Sequence, residues 1–269
     1  MLRLLVALEC EAKPLREHWR LQPHPARGFR VYGNADTRLV VSGPGVLNAA
    51  AATAYLAGLD GPEVGAAWLN VGMAGHGRLA PGTPLLAHSI RGESGAWYPP
   101  LAFPPPCGLG KVLSVATPET VYTGDSAYEM EAAGFYPSAC RFAGSELVQV
   151  LKIVSDNPGN PASQLDAARV SALMAGALPV VEQVCEALRE LATTVAMLDA
   201  DPPGYRECLT RWHFSVSQRQ RLHRLLARYR LLRGEAPRLP GVTTGRAVLR
   251  WLETELDSLP PQLSNGPPS

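Results

Sequence analysis

Thr37-Arg-Leu-Val-Val-Ser42 runs into Gly43-Pro-Gly45 and then into the alanine-rich Asn48–Leu59, and Gly65-Ala-Ala-Trp-Leu-Asn-Val-Gly72 follows. Short β-branched and leucine-rich runs have the length of buried strands, whereas an alanine-rich run of a dozen residues has the length of a helix. Strand, glycine turn, helix and strand together make one crossover unit of a parallel sheet. The alternation continues on both sides. Leu2–Leu8, Thr83–Ile90, Lys111–Ala116 and Leu147–Val154 read as further strands, and Ser163–Thr194 as a helix broken or entered afresh at Pro179. The chain is therefore expected to be α/β, a three-layer α/β/α domain with a central mixed, largely parallel sheet.

The 269 residues carry 25 Lys+Arg against 24 Asp+Glu, a formal net charge of +1, with 46% hydrophobic and 18% charged residues. That is an ordinary globular composition, but the charge is unevenly spread. Arg206 to Arg250 holds 11 arginines against two acids, Glu207 and Glu235, for +9, and the rest of the chain nets −8. The break falls at Asp199-Ala-Asp-Pro-Pro-Gly204, where no helix continues. The expected organisation is a domain over 1–200, a basic helical extension over 201–258 and a disordered, proline-rich tail over 259–269. Five scattered cysteines without a C-x-x-C pair argue against a disulfide scaffold or structural zinc and for a reducing, cytoplasmic setting. No apolar run approaches the ~18 uninterrupted residues of a bilayer span, so no membrane association is expected.

In sheets of this kind ligands sit beyond the carboxyl ends of the strands. Those ends carry Glu9 and Glu11, Ser42-Gly-Pro-Gly45, Gly72-Met-Ala-Gly75, Glu129-Met-Glu131 and Ser155-Asp156-Asn157. Acids and close-approach glycines with few bases suit a sugar whose hydroxyls donate to carboxylates, and they do not suit a phosphate cradle. Sugar chemistry needs a general acid and a group that activates water or faces a developing cation; carboxylates do both. Taken singly, Glu11 and Asp156 read as helix caps, Ser42-Gly-Pro-Gly45 as a tight turn and Met130 as core. A dinucleotide fingerprint fails at Asn48, which stands where a third glycine belongs, and Gly92-Glu-Ser-Gly95 is not a nucleophile elbow. His76 and His88 read as ordinary loop histidines.

The ordered set of strand ends resembles the phosphorylase superfamily of purine nucleoside phosphorylases and nucleosidases, most closely the methylthioadenosine/S-adenosylhomocysteine nucleosidases. The matching stretches are Leu5-Val-Ala-Leu-Glu-Cys-Glu11, Ser42-Gly-Pro-Gly-Val-Leu-Asn-Ala49, Leu69-Asn-Val-Gly-Met-Ala-Gly75, Glu129-Met-Glu-Ala132 and Lys152-Ile-Val-Ser-Asp156. The resemblance implies that Glu11 polarises the attacking water and that Asp156, oriented by Ser155, protonates the departing purine. It further implies that Glu131 accepts from the ribose hydroxyls above Met130, with Gly45, Met73, Ala74, Gly75, Glu129 and Lys152 around the substrate. Tyr122 is the nearest substitute for the aromatic that lies against the base in the nucleosidases. No cofactor and no metal is implied. The implied activity is hydrolysis of a purine nucleoside or 5′-modified purine nucleoside, with a phosphorylase and a silent nucleoside- or partner-binding protein as alternatives. Met73 stands where the nucleosidases carry serine and Lys152 where they carry arginine, and Asn70 and Met73 offer phosphate no home. A homo-oligomer, commonly a dimer, is also implied.

The extension contains a capping box at Ser215-Val-Ser-Gln218, then Leu222, Leu225, Leu226, Tyr229 and Leu232 at helical spacing. Arg219, Arg221, Arg224, Arg228 and Arg230 share this helix, and Val248–Leu256 is a second amphipathic stretch able to pair with it. A solvated basic face or docking onto the acidic domain is the expectation, ahead of nucleic-acid binding, because aromatic and basic residues do not interleave along the chain.

Overall fold

The computed structural model describes residues 1–59, 65–199, 201–234, 236–239 and 241–258, so the expected tail over 259–269 lies outside the described residues. The chain forms two compact units, Met1–Met197 and Leu198–Ser269. The first unit runs in the order β1 (Leu2–Val6), α1 (Glu9–Trp19), β2 (Gln22–Pro23), β3 (Arg30–Gly33), β4 (Thr37–Val41), α2 (Val46–Leu59) and β5 (Ala67–His76). It continues with β6 (Pro84–Gly92), β7 (Gly95–Trp97), β8 (Gly108–Ser114), β9 (Ser126–Glu129), α3 (Ala132–Ala139), β10 (Val148–Asp156) and α4 (Ala167–Asp199).

Strand β5 is the axis of the unit. It pairs in parallel with β1 and with β10, and β1 pairs in parallel with β4. The antiparallel β3 and β2 extend the sheet beyond β4, and β7 forms a hairpin with β6. On the other side β10 pairs with β6, β6 with β8, β8 with β9, and β9 returns to β5 through Gly75 and His76. The mixed sheet therefore closes on itself over five strands, a closure that the expected three-layer arrangement did not specify.

Alternation along the strands divides the core between two faces. Leu2, Leu4, Val6, Leu69 and Val71 meet Ala12 and Leu15 of α1 and Val181, Val184 and Leu188 of α4. Leu5, Trp68 and Ala74 meet Ala52 and Leu56 of α2 and Phe135 of α3. By length and composition alone Ala167–Met197 could cross a bilayer. Its buried residues Val170, Met174, Ala177, Val181, Val184 and Leu188 instead recur at helical spacing and cover the sheet.

Several expected boundaries move. Helix α4 is unbroken at Pro179 and ends at Asp199, five residues past the expected end. Strands β5 and β10 run on to His76 and Asp156, because β9 and β10 supply ladder partners to the glycine-rich end of β5. Hence His76 and His88 lie in β5 and β6, not in loops. His76 is buried and its Nδ1 accepts from the backbone N–H groups of Arg78 and Leu79.

Helix α1 was not expected, since Glu9–Trp19 mixes charges with Pro14 and shows no clean apolar period. Proline cannot donate to the carbonyl four residues back, which here is Cys10, and the Ser171 hydroxyl of α4 donates to that carbonyl at 2.6 Å. The substitute bond keeps α1 continuous and ties it to α4.

The second unit contains α5 (Tyr205–Arg211), α6 (Val216–Arg233) and α7 (Gly245–Asp257). Ser215 caps α6 in the expected capping box with Gln218, and Gly234 closes it in the left-handed conformation at φ 75°. Leu222, Leu226 and Tyr229 pack with Cys208, Phe214, Val248, Leu249 and Leu252, so α6 and α7 do form the expected helical pair.

Replacing Ser171 with Ala is expected to cost about 1 kcal/mol and to lower Tm by about 2–4 °C in thermal unfolding. Adding Pro14→Ala restores a backbone donor and recovers part of the loss; a Ser171→Ala protein with unchanged Tm would contradict the substitute bond.

Candidate active site

The carboxyl ends of β1, β5, β9 and β10 converge on one charged cluster. Glu11, in the first turn of α1, is buried. Its Oε2 accepts from the backbone N–H of Ala7 and of Leu8, each at 2.9 Å, and its Oε1 accepts from the N–H of Met73 at 2.9 Å. The glutamate thus caps its own helix and also clamps the end of β5. Burial pushes its carboxyl upward, against the opposing pull of these donors and of Lys152.

Lys152 of β10 has no exposed side-chain surface, and its Nζ lies 2.7 Å from Glu129 Oε2 and 3.8 Å from Glu131 Oε2. Burial alone would lower the lysine, but the two glutamates outweigh it and raise it. Gly72 is the register partner of Lys152 on β5. A Cβ there would sit 3.2 Å from Glu11 Oε1 and 3.4 Å from Lys152 Nζ, so glycine leaves room for the two charges to approach.

Glu129 ends β9 and accepts from the N–H groups of Glu131 and Ala132 and from the Ser114 hydroxyl. Burial would raise its carboxyl, and Lys152 more than offsets this and lowers it. Glu131 instead accepts the Gly45 N–H at 3.1 Å, from a glycine held at φ 106°. Its carboxyl is pushed up to about 7, first by burial and then by Glu129 and Glu11, against Lys152. Two glutamates two residues apart are therefore driven in opposite directions.

Asp156 follows an irregularity in the β5–β10 register between Val154 and Asp156, which re-aims the end of β10. Its Oδ1 accepts from the Ser155 hydroxyl and its Oδ2 from the Tyr122 hydroxyl. Tyr122 lies between β8 and β9, its ring 5.4 Å from that of Tyr128, and a Cβ at Gly75 would fall on its hydroxyl. Burial, reinforced by Asp156, pushes the phenol well above its ordinary range.

These groups border a cavity of about 330 Å³. Of the predicted residues, Glu11, Met73, Ala74, Gly75, Tyr122, Glu129, Met130, Glu131, Ser155 and Asp156 line it. Gly45 and Lys152 do not; they stand behind Glu131 and Glu129. Val115, Glu119 and Tyr128 also line it and were not foreseen. Tyr128 sits in a four-residue strand too short to show a period, although its place just before Glu129-Met-Glu131 was a usable signal. The wall carries five carboxylates, those of Glu11, Glu119, Glu129, Glu131 and Asp156, and no lysine, arginine or histidine. Among the described residues no cluster of His, Cys, Asp and Glu is arranged to hold a metal ion.

The sequence matches no protein-family model and no curated protein. Solved structures are similar in fold. A 5′-methylthioadenosine nucleosidase from Arabidopsis thaliana superposes with a TM-score of 0.56 at 15% identity, over 70% of this chain and 95% of that one. The 5′-methylthioadenosine/S-adenosylhomocysteine nucleosidase from S. pneumoniae, with a transition-state inhibitor, gives 0.53 at 18% identity, over 70% and 99%. A futalosine hydrolase mutant from Helicobacter pylori gives 0.51 at 16% identity, over 69% and 98%. The chain shares its fold with these nucleosidase and hydrolase structures.

Proposed function

We propose that this protein hydrolyses the N-glycosidic bond of a purine nucleoside or a 5′-modified purine nucleoside. The reading is carried by the cavity wall, which holds five carboxylates and no basic side chain. Cleavage builds positive charge on the ribose and negative charge on the departing base, so the ribose needs carboxylates and the base needs a proton. Phosphate would meet carboxylates and no basic side chain on the cavity wall, which favours water as the nucleophile. The fold shared with structures named as nucleosidases and a hydrolase supports the same reading.

In this mechanism the bond from ribose C1′ to the base nitrogen breaks as Asp156 delivers its proton to the base. Glu131 accepts from the ribose hydroxyls and faces the positive ring, with Met130 beneath. Water adds at C1′ and gives its proton to Glu11. A second reading, a silent nucleoside-binding protein, draws on two features. Met73 offers the water site only a backbone N–H already given to Glu11, and Tyr122 occupies an oxygen of Asp156.

Base release from a panel of purine nucleosides, with and without phosphate, tests the proposal. Phosphate-independent release is expected, with Asp156→Asn losing most turnover while keeping ligand affinity, since an amide bonds the base but cannot protonate it. Phosphate-dependent release would make the protein a phosphorylase, and ligand binding without release would support the silent reading.

The pH profile follows from Glu131. Its ionised form accepts from the ribose hydroxyls with both oxygens and faces the developing positive charge with a negative one, and its carboxyl is pushed up to about 7, so kcat/KM is expected to rise with pH through that value. Glu131→Gln should lose this rising limb along with most activity. A limb that survives the substitution would assign the titration elsewhere.

Because the Tyr122 hydroxyl must leave Asp156 before a base can bind there, Tyr122→Phe should lower KM by about tenfold or less while the ring is retained. A raised KM would mean that the hydroxyl contacts the substrate itself.

A further inference from the structure

The second unit carries a pocket unconnected with nucleoside cleavage. Helix α6 contains Arg219, Arg221, Arg224, Arg228, Arg230 and Arg233 and no acid. Arg221 and Arg233 pair across to α7, with Glu253 at 2.7 Å and Glu255 at 3.7 Å. No described acid lies within ion-pair distance of Arg219, Arg224 or Arg228, and all three are exposed. Arg219 is steadied through Nε, which donates to the Phe214 carbonyl at 3.3 Å.

Beside these arginines, Tyr205 of α5 meets His223 of α6 edge to face, ring centres 5.3 Å apart at 83°. Tyr205, Val216, Arg219, Gln220, His223 and Arg224 line an open pocket of about 590 Å³. Val216 at its rim is 75% exposed, so apolar as well as charged surface is presented there. The interleaving of aromatic and basic groups that the linear sequence lacks is created by folding, because α5 brings Tyr205 against the arginine-bearing helix. Arg228 lies one helical turn beyond Arg224, about 6 Å along the axis, and continues the positive track away from the pocket.

We propose that this face binds single-stranded nucleic acid, with an unstacked base against Tyr205 and His223 and the neighbouring phosphates on Arg219, Arg224 and Arg228. An aromatic platform beside a basic track is the usual way to hold a strand without reading its sequence. An acidic polypeptide would use the arginines but gain little from the paired rings, and a lone nucleotide would leave Arg228 unused. The proposal is independent of the reaction assigned to the first unit.

The test is fluorescence anisotropy of labelled single-stranded RNA and DNA of about 12 nucleotides with the full-length protein, across a range of salt. Binding is expected to weaken steeply as salt rises. Arg219→Gln with Arg224→Gln should weaken it by about tenfold or more and flatten the slope of log affinity against log salt by about 1.4, at ~0.7 per charge. Arg246→Gln with Arg250→Gln, which removes the same charge from α7, should change affinity far less. Tyr205→Leu should weaken binding about tenfold with the slope unchanged. Excess adenosine monophosphate or polyglutamate should not displace the strand. Absence of salt-sensitive binding by the unsubstituted protein, equal losses in the two double variants, or displacement by either competitor would overturn the proposal. Circular dichroism checks that the variants retain their helices.

Discussion

A lysine with no exposed side-chain surface, held between two glutamates, is the constraint on which the strand-end cluster of this fold depends. Removing Lys152 and Glu129 from water is costly, and their 2.7 Å separation offsets that cost only while both stay in place. The pair ties β10 to the turn between β9 and α3, the same turn that carries Met130 and Glu131. Glu129 is committed to Lys152, Ser114 and the backbone of α3, so it is held ionised and engaged. Glu131, farther from the lysine and bonded to a single backbone donor, keeps a carboxyl with a raised pKa facing the cavity. One buried cation thus divides two cavity-lining glutamates into a tightly paired member with a lowered pKa and a looser one with a raised pKa.

Helix capping and a place on the cavity wall coincide at Glu11. Read alone it is a helix cap, and it does accept from the N–H groups of Ala7 and Leu8 at the start of α1. The same carboxylate reaches across to Met73 on β5 and borders the cavity. The cap holds the carboxylate in one orientation, which the water-positioning role proposed for it requires. Asp156 gains its orientation differently, from the register shift at the end of β10 and two hydroxyl donors.

Six of the ten strands among the described residues, β1, β4, β5, β6, β8 and β10, were legible because each contains a short, near-continuous apolar run, whereas β2, β3, β7 and β9, of two to four residues, are too short to show one. Thr37–Val41 and Val148–Asp156 are examples. Closure of the sheet was not legible, since it depends on Gly75 and His76 pairing with Tyr128 and Ala127, four residues with no periodic pattern. Pro14 hid α1 because its compensating donor, Ser171, is 161 positions from Cys10. Lys152 and Gly45 were expected around the substrate, whereas they contact Glu129 and Glu131 without lining the cavity, a distinction that needs three dimensions. The aromatic side of the α6 pocket was hidden for the same reason, since Tyr205 and His223 meet only when α5 folds onto α6.

The proposed reaction is tested most directly by a crystal structure with a purine nucleoside analogue whose ribose is replaced by a cationic ring. The ring hydroxyls are expected on Glu131 above Met130, the base on Asp156, and the Tyr122 hydroxyl withdrawn from that carboxylate. Analogue bound instead in the cavity of about 600 Å³ beside Leu47 and Asn48, with Tyr122 still donating to Asp156, would contradict it.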